Sequence, residues 1–287
     1  MPRLTQGPDP SPKKPKFKAP PGACDAHIHL FGPAAKYPFA PDSPYTSRDA
    51  LPEMFFKVQD TLGLSTAVVV SPGGYGRNYA LLADTLAKYP DRFRGIALVR
   101  DDIPSAELAR LTRLGVRGMR MMSHTRGQHV PNYSRELAAR VHEHGWHIQF
   151  YPHGTDIVEY ADKLLALPNT IALDHFASIP AEGGLDQPAV KAVLKMLDTG
   201  RVWLKLSGPI RCTEQNFPYP SVTPLAHLFV KHAPERMVWG SDWPHVNLDG
   251  REMPNDGDLL DLLADWVPDS VVRNRILSQN PKALYGF

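Results

Sequence analysis

Cys24-Asp25-Ala26-His27-Ile28-His29 is the stretch on which the reading of the fold turns. Side chains alternate between the two faces of a strand, so Asp25, His27 and His29 are expected on one face and Cys24, Ala26 and Ile28 on the other. A half-exposed strand carrying two solvated histidines would alternate in the same way. What lies to either side decides between that and a strand ending in a reaction site.

Downstream, the Pro- and Gly-rich residues 31–45 cannot be helix and are long for a connector, so they are expected to line something. Residues 48–63 follow with helical apolar spacing (Leu51, Met54, Phe55, Val58, Leu62) and stop at Gly63. Residues 66–71 are a continuous apolar, β-branched run, which reads as a buried strand. The beat repeats, with helices expected at 78–88, 105–114, 134–144, 187–197 and 223–231. Further strands are expected at 93–99, 116–122, 147–151, 170–176, 202–207 and 236–241. Eight near-continuous apolar strands separated by helices imply a parallel sheet covered on both faces, and hence a single (β/α)8 barrel over residues 22–287. A doubly wound open sheet is the alternative. No G-x-G-x-x-G follows the first strand, and no phosphate-cradling loop occurs elsewhere.

Upstream, residues 1–21 form a Pro- and Lys-rich arm with a net charge of +4, out of +2 for the whole chain, so the body carries −2. The arm reads as flexible or as an extended strap, and a body of that charge does not suit a nucleic-acid face. No apolar run is long enough for a membrane span, and the N-terminus lacks the apolar stretch of a secretory signal, so a cytoplasmic protein is expected. Two cysteines, Cys24 and Cys212, give neither a disulfide framework nor zinc spacing. A monomer or small homo-oligomer is expected.

Reacting groups of such barrels lie at the C-terminal ends of the strands. The sequence supplies polar residues there: His27 and His29, Ser71, Arg120, Tyr151 with His153 beyond it, Asp174-His175, Ser207 with Arg211 beyond it, and Asp242-Trp243-Pro244-His245. A carboxylate with several histidines can activate water and place donors on an oxygen that gains charge. Arginines suit carboxylate-bearing substrates, since the planar guanidinium binds them bidentately.

The D-x-H-x-H of the first strand, the histidine closing the sixth and Gly240-Ser241-Asp242-Trp243-Pro244-His245 closing the eighth resemble the amidohydrolase superfamily. Within it, the chain is similar to the branch containing the 2-pyrone-4,6-dicarboxylate lactonases, over nearly the whole barrel. The resemblance implies that Asp242 activates water and that His27, His29 and His175 surround the lactone carbonyl. It implies that Arg120, Arg126 and Arg211 hold substrate carboxylates, and that Tyr45, Ser71, Tyr151 and His245 line the pocket. In most of the superfamily the first-strand histidines and the eighth-strand aspartate hold divalent metal, whereas this branch is understood to work without it. Arg120 stands where binuclear members carry a bridging lysine, and a guanidinium there would repel a cation. The expectation is therefore no metal, with a mononuclear zinc on His27, His29 and Asp242, to which His153 could add, as the alternative. The competing functions are a muconolactone or sugar-acid lactonase, a lactone isomerase, a zinc-dependent decarboxylase and a binding protein without catalysis.

Overall fold

The computed structural model describes residues 2–123, 133–248 and 250–287. Eight strands form one sheet: β1 (Cys24–Ile28), β2 (Thr66–Val70), β3 (Phe93–Ala97), β4 (Val116–Met122), β5 (His147–Tyr151), β6 (Ile171–Leu173), β7 (Val202–Ser207) and β8 (Met237–Gly240). Each pairs in parallel with the next along the chain. Beyond the ends of β1 and β8 the chain closes the cylinder. The His29 N–H donates to the Trp243 carbonyl at 2.7 Å, and the Asp242 N–H donates to the His27 carbonyl at 3.0 Å. This seam places the two most informative sequence motifs side by side.

Helices cover the outside: α1 (Pro52–Leu62), α2 (Ala80–Lys88), α3 (Ser105–Leu114), α4 (Arg135–His142), α5 (Ile157–Leu165), α6 (Pro188–Asp198), α7 (Thr223–His232) and α8 (Asp256–Trp266). Their ends follow local chemistry. Gly63 ends α1 with φ of 73°, and the Ser134 side chain caps α4 by accepting from the Leu137 N–H. Helices α5 and α8 were not expected from the spacing, nor were Ser270–Asn274 and Asn280–Tyr285 near the C-terminus. That tail plugs the far end of the barrel. Tyr285 packs with Val68, Val70, Ile96 and Val238, and Arg94 donates to the Gly286 carbonyl. The cavity opens at the C-terminal ends of the strands.

Strict alternation fails in β1. Asp25 pairs with Ala67 and Ile28 with Val69, so Ala26 and His27 together stand opposite Val68, which is a β-bulge. Cys24 and Ala26 keep their interior places among Val68, Val70 and Trp203. After the bulge His27 and His29 also face inward, while Asp25 does not share their face. Its Oδ1 instead accepts from the backbone N–H groups of His27 (3.1 Å) and Ser241 (3.0 Å), bracing the seam.

The arm is laid along the barrel. Arg3–Thr5 pairs in parallel with Tyr45–Ser47. The Lys13 N–H donates to Asn255 Oδ1 (2.8 Å), and the Lys16 N–H to Asp261 Oδ1 (2.7 Å). Gly257 is required there, since a Cβ would stand 2.1 Å from the Lys13 carbonyl oxygen. Among the described residues no helix is long and apolar enough to cross a membrane.

Candidate active site

The strand ends and the loops after them build a cavity of ≈ 730 Å³, its open mouth included, lined by His29, Tyr45, Arg120, Tyr151, His175, Arg211 and Asp242 among others. Asp242 is the centre of the cluster. Its Oδ1 lies 3.8 Å from His27 Nε2, 3.6 Å from His29 Nε2 and 3.7 Å from His175 Nε2. Its Oδ2 accepts from Arg211 Nη2 at 3.0 Å and Nε at 3.3 Å.

Each imidazole is fixed from behind. His29 Nδ1 is 2.7 Å from the Val70 carbonyl, and His175 Nδ1 is 2.9 Å from Ser207 Oγ. His27 Nδ1 faces Asp174 Oδ1 at 3.2 Å and Lys205 Nζ at 3.4 Å. Burial, with cations nearby, keeps these rings neutral: His29 is pushed down to about 3, and His27 and His175 also lie below the usual imidazole value. Burial would raise Asp242, but the surrounding His175, Arg211, His27 and His29 outweigh it and hold the carboxyl well below the usual range. Asp242 is thus ionised throughout the physiological range. Burial brings Lys205 down to about 8 against the pull of Asp174, and raises Asp25 to about 7 against its hydrogen bonds.

His175 does not end a strand. β6 stops at Leu173, and His175 to Ser178 all have φ of 50–54°, a left-handed turn that ordinary residues enter at a cost of about 1–2 kcal/mol each. The turn tips His175 over the cluster. Gly208 (φ 52°) makes room for it, because a Cβ there would be 2.6 Å from His175 Nδ1. On the other side Gly240 admits His27, whose Cβ would lie 2.8 Å from an added one. Asp242 is also left-handed, at φ 67°.

Most of the expected residues are brought together. Tyr45 holds the Gly74 N–H at 3.1 Å, and Arg120 Nη1 donates to the Ser71 carbonyl at 3.0 Å with its guanidinium 5.5 Å from the Tyr151 ring centroid. Ser71 therefore contributes its backbone carbonyl, while its buried side chain does not line the cavity as expected. Arg211 does less of what was expected. Besides Asp242, it holds the Val246 carbonyl (2.7 Å) and the Asn247 carbonyl (3.2 Å), which leaves one N–H for a ligand. His245 is not in the cavity. Its Nε2 is 2.9 Å from Asp256 Oδ1 in the first turn of α8, so the left-handed loop after β8 turns it away from the substrate side. Arg126 lies outside the described residues. His153 lines the cavity but does not join the histidine cluster; among the described residues, His27, His175 and Asp242 offer atoms within 4.8 Å of one another, and those of the expected set His27, His29 and Asp242 lie 3.3–3.8 Å apart.

Sequence reasoning missed Lys205, Gln149 and Asn247. Lys205 sits in a run of apolar residues on β7, and an isolated lysine in a buried strand was a signal that could have found it.

The amidohydrolase family model matches residues 24–287. A 2-pyrone-4,6-dicarboxylate hydrolase of Comamonas testosteroni is 36% identical, over 96% of this chain and 93% of its own. A 4-sulfomuconolactone hydrolase of Rhizobium radiobacter is 34% identical, over 98% and 95%. A solved structure titled as a putative 2-pyrone-4,6-dicarboxylic acid hydrolase of Pseudomonas putida superposes with a TM-score of 0.79 at 28% identity, covering 92% of this chain and 97% of that one.

Proposed function

This chain belongs to the amidohydrolase family, and on that premise we propose that it hydrolyses the lactone of a ring-cleavage dicarboxylate, with 2-pyrone-4,6-dicarboxylate as the lead substrate. The observation that carries this reading is the convergence of three imidazole Nε2 atoms on one oxygen of an ionised aspartate, with Arg211 on that aspartate and Arg120 lining the same cavity.

A lactone carbonyl held over the histidines stands next to Asp242 Oδ1. That oxygen takes a proton from water, and the water oxygen forms the new bond to the carbonyl carbon. Imidazole N–H groups stabilise the oxygen that gains charge. The ring C–O bond then breaks, and the proton held by Asp242 passes to the departing ring oxygen. Arg211 fixes the carboxylate so that Oδ1 alone faces the reaction space. Arg120, with the remaining N–H of Arg211, is placed to bind substrate carboxylate.

We take the reaction to run without metal. His27, His175 and Asp242 are chemically suited to hold a divalent ion, which would polarise the carbonyl and acidify water if bound. Against it stands the charge already present: Arg211 is on the same carboxylate at 3.0 Å, and Arg120 and Lys205 lie against Asp174 at 3.7 and 3.3 Å. A further cation would be repelled by all three. We place the reaction in the cytoplasm, in keeping with two buried, unpaired thiols.

The test follows absorbance loss of pyrone dicarboxylate by wild type and Asp242→Asn, before and after prolonged chelation. Full activity after chelation and a loss of roughly 100-fold or more in the variant are expected. One tight zinc per chain, lost together with activity, would overturn the metal-free reading; turnover by the variant above about a tenth of wild type would remove Asp242 as the base. The 34% relative favours a second reading, a sulfonated muconolactone as substrate. Assaying both lactones side by side decides between them by kcat/KM.

A further inference from the structure

Beside Arg211 lies a side compartment of ≈ 690 Å³, its open mouth included, which shares Tyr151, His153 and Arg211 with the active-site cavity. The loops after β6 and β7 wall it, and Arg251 reaches it from the segment after β8. Arg251 is fixed there by backbone. Its Nη1 donates to the Ile210 and Thr213 carbonyls at 2.8 Å each, and its Nε to the Leu248 carbonyl at 3.3 Å. Those bonds use the N–H of Nε and both N–H groups of Nη1, so the two on Nη2 are left for a ligand.

The charge of Arg251 is poorly matched within the protein. Its side chain is only 15% exposed, and among the described residues the one carboxylate within ion-pair distance is that of Glu214, 3.9 Å away on a side chain 93% exposed. A cation largely out of water and held by carbonyls alone is offset by an anion brought to it. Ser178 is a second, independent sign of a ligand. It stands on the wall of the same compartment, and its hydroxyl is buried without a hydrogen-bond partner. Glu182 does not oppose an anion here, because it is exposed and its Oε1 accepts from the Thr213 and Ser221 hydroxyls. The acids thus sit at the rim and the guanidinium inside. Arg211, with one N–H to spare, cannot hold a carboxylate bidentately, which makes a further cation beside it useful.

We propose that this compartment is the subsite for the second anionic group of the substrate, a carboxylate or a sulfonate, with Arg251 as its cation and Ser178 as its hydroxyl donor. The substrates are then lactones with two anionic groups set apart, one meeting Arg120 and the other Arg251. That a lactone lies over Asp242 rests on the lactonase reading; the anion subsite does not.

The experiment compares kcat/KM for pyrone dicarboxylate with that for each of its two monomethyl esters. Wild type should prefer the diacid to both. Arg251→Met should cut the preference over one ester by about tenfold or more and keep the preference over the other. Mere loosening of the loop would slow all three substrates alike, so a variant that keeps both preferences, or loses both equally, overturns the proposal. Ser178→Ala breaks no hydrogen bond of the protein; it should cut the same preference by about threefold or more, and it carries the test if Arg251→Met does not fold. Tricarballylate and sulfosuccinate have no ring to open, and calorimetric titration with each reads the subsite without turnover. Kd should weaken by about tenfold or more in Arg251→Met, with the larger loss naming carboxylate or sulfonate as the preferred group. An equal Kd in wild type and both variants, or no binding to wild type, overturns the subsite. If wild type opens no lactone, the lactonase reading fails and the titration alone decides.

Discussion

Single residues set the geometry of the cluster through very short distances, and Gly208 is the sharpest case. A methyl group there would lie 2.6 Å from His175 Nδ1, on a backbone at φ 52° that favours glycine. Gly208→Ala is expected to break the contact between His175 and Ser207 and to lower kcat at least tenfold, with a smaller effect on KM; wild-type turnover would show that His175 is not placed by that bond. Arg211 was expected to be a carboxylate clamp, yet its guanidinium spends most of its donors on Asp242 and on the Val246 and Asn247 carbonyls. Arg211→Met should therefore reduce kcat more than it raises KM. A charge-assisted bond of roughly 1.5–3 kcal/mol corresponds to a tenfold to 150-fold loss in kcat/KM. Lysine should restore little, since one ammonium cannot span Asp242 and two carbonyls. A rise in KM alone, with kcat intact, would return Arg211 to the role of clamp.

At the scale of elements, the strands were legible because their apolar runs are nearly uninterrupted, and so was the rim they point to. The breaks in regularity were not legible. A β-bulge adds one residue without marking the sequence, so Asp25 was assigned to the face of His27 and His29 when it braces the seam instead. The turn from His175 to Ser178 holds four residues in the left-handed region without a glycine to announce it, so the sixth strand was drawn too long. The resemblance implied a pocket role for His245, but the loop after β8 turns its ring onto Asp256. The arm shows the same limit: its composition allows a flexible chain or an extended strap, and its contacts with Asn255 and Asp261 depend on where α8 lies in space. Those contacts have a measurable consequence, because Arg3 Nη2 donates at 3.1 Å to Asn247 Oδ1, and Asn247 lines the cavity and holds Arg211 through its carbonyl. Deleting residues 2–7 should raise KM about two- to tenfold, the worth of one or two exposed hydrogen bonds, and leave kcat within about twofold. An unchanged KM would detach the strap from the site.

The whole molecule carries an unusual load of buried ionisable groups, and the sum of their shifts sets its stability against pH. Burial pushes His29 and His147 down to about 3 and lowers His27 and His175 as well. Each is neutral in the fold but takes up a proton in the unfolded chain below about 6.5. Between about pH 6.5 and pH 3 the unfolded state therefore binds more protons, so stability rises with pH through that window and is lost as pH falls. Each fully shifted histidine is worth about 2 kcal/mol at pH 5. Asp25 acts in the opposite sense: burial raises it to about 7, the fold binds its proton first, and its contribution grows as pH falls. One raised carboxyl does not offset four lowered imidazoles. The net expectation is a protein that loses stability on acidification from pH 7 to pH 5, well before ordinary carboxylates titrate. His147 isolates the effect, since it lies in the barrel interior against the Tyr285 ring and away from the cavity. His147→Gln should leave catalysis at pH 7.5 within about twofold and flatten the slope of unfolding free energy against pH by about 1.4 kcal/mol per pH unit between pH 4 and pH 6. Urea denaturation across that range measures the slope directly. A variant whose slope matches wild type would mean that His147 is protonated in the fold as readily as in the unfolded chain, and that the acid sensitivity has its source elsewhere.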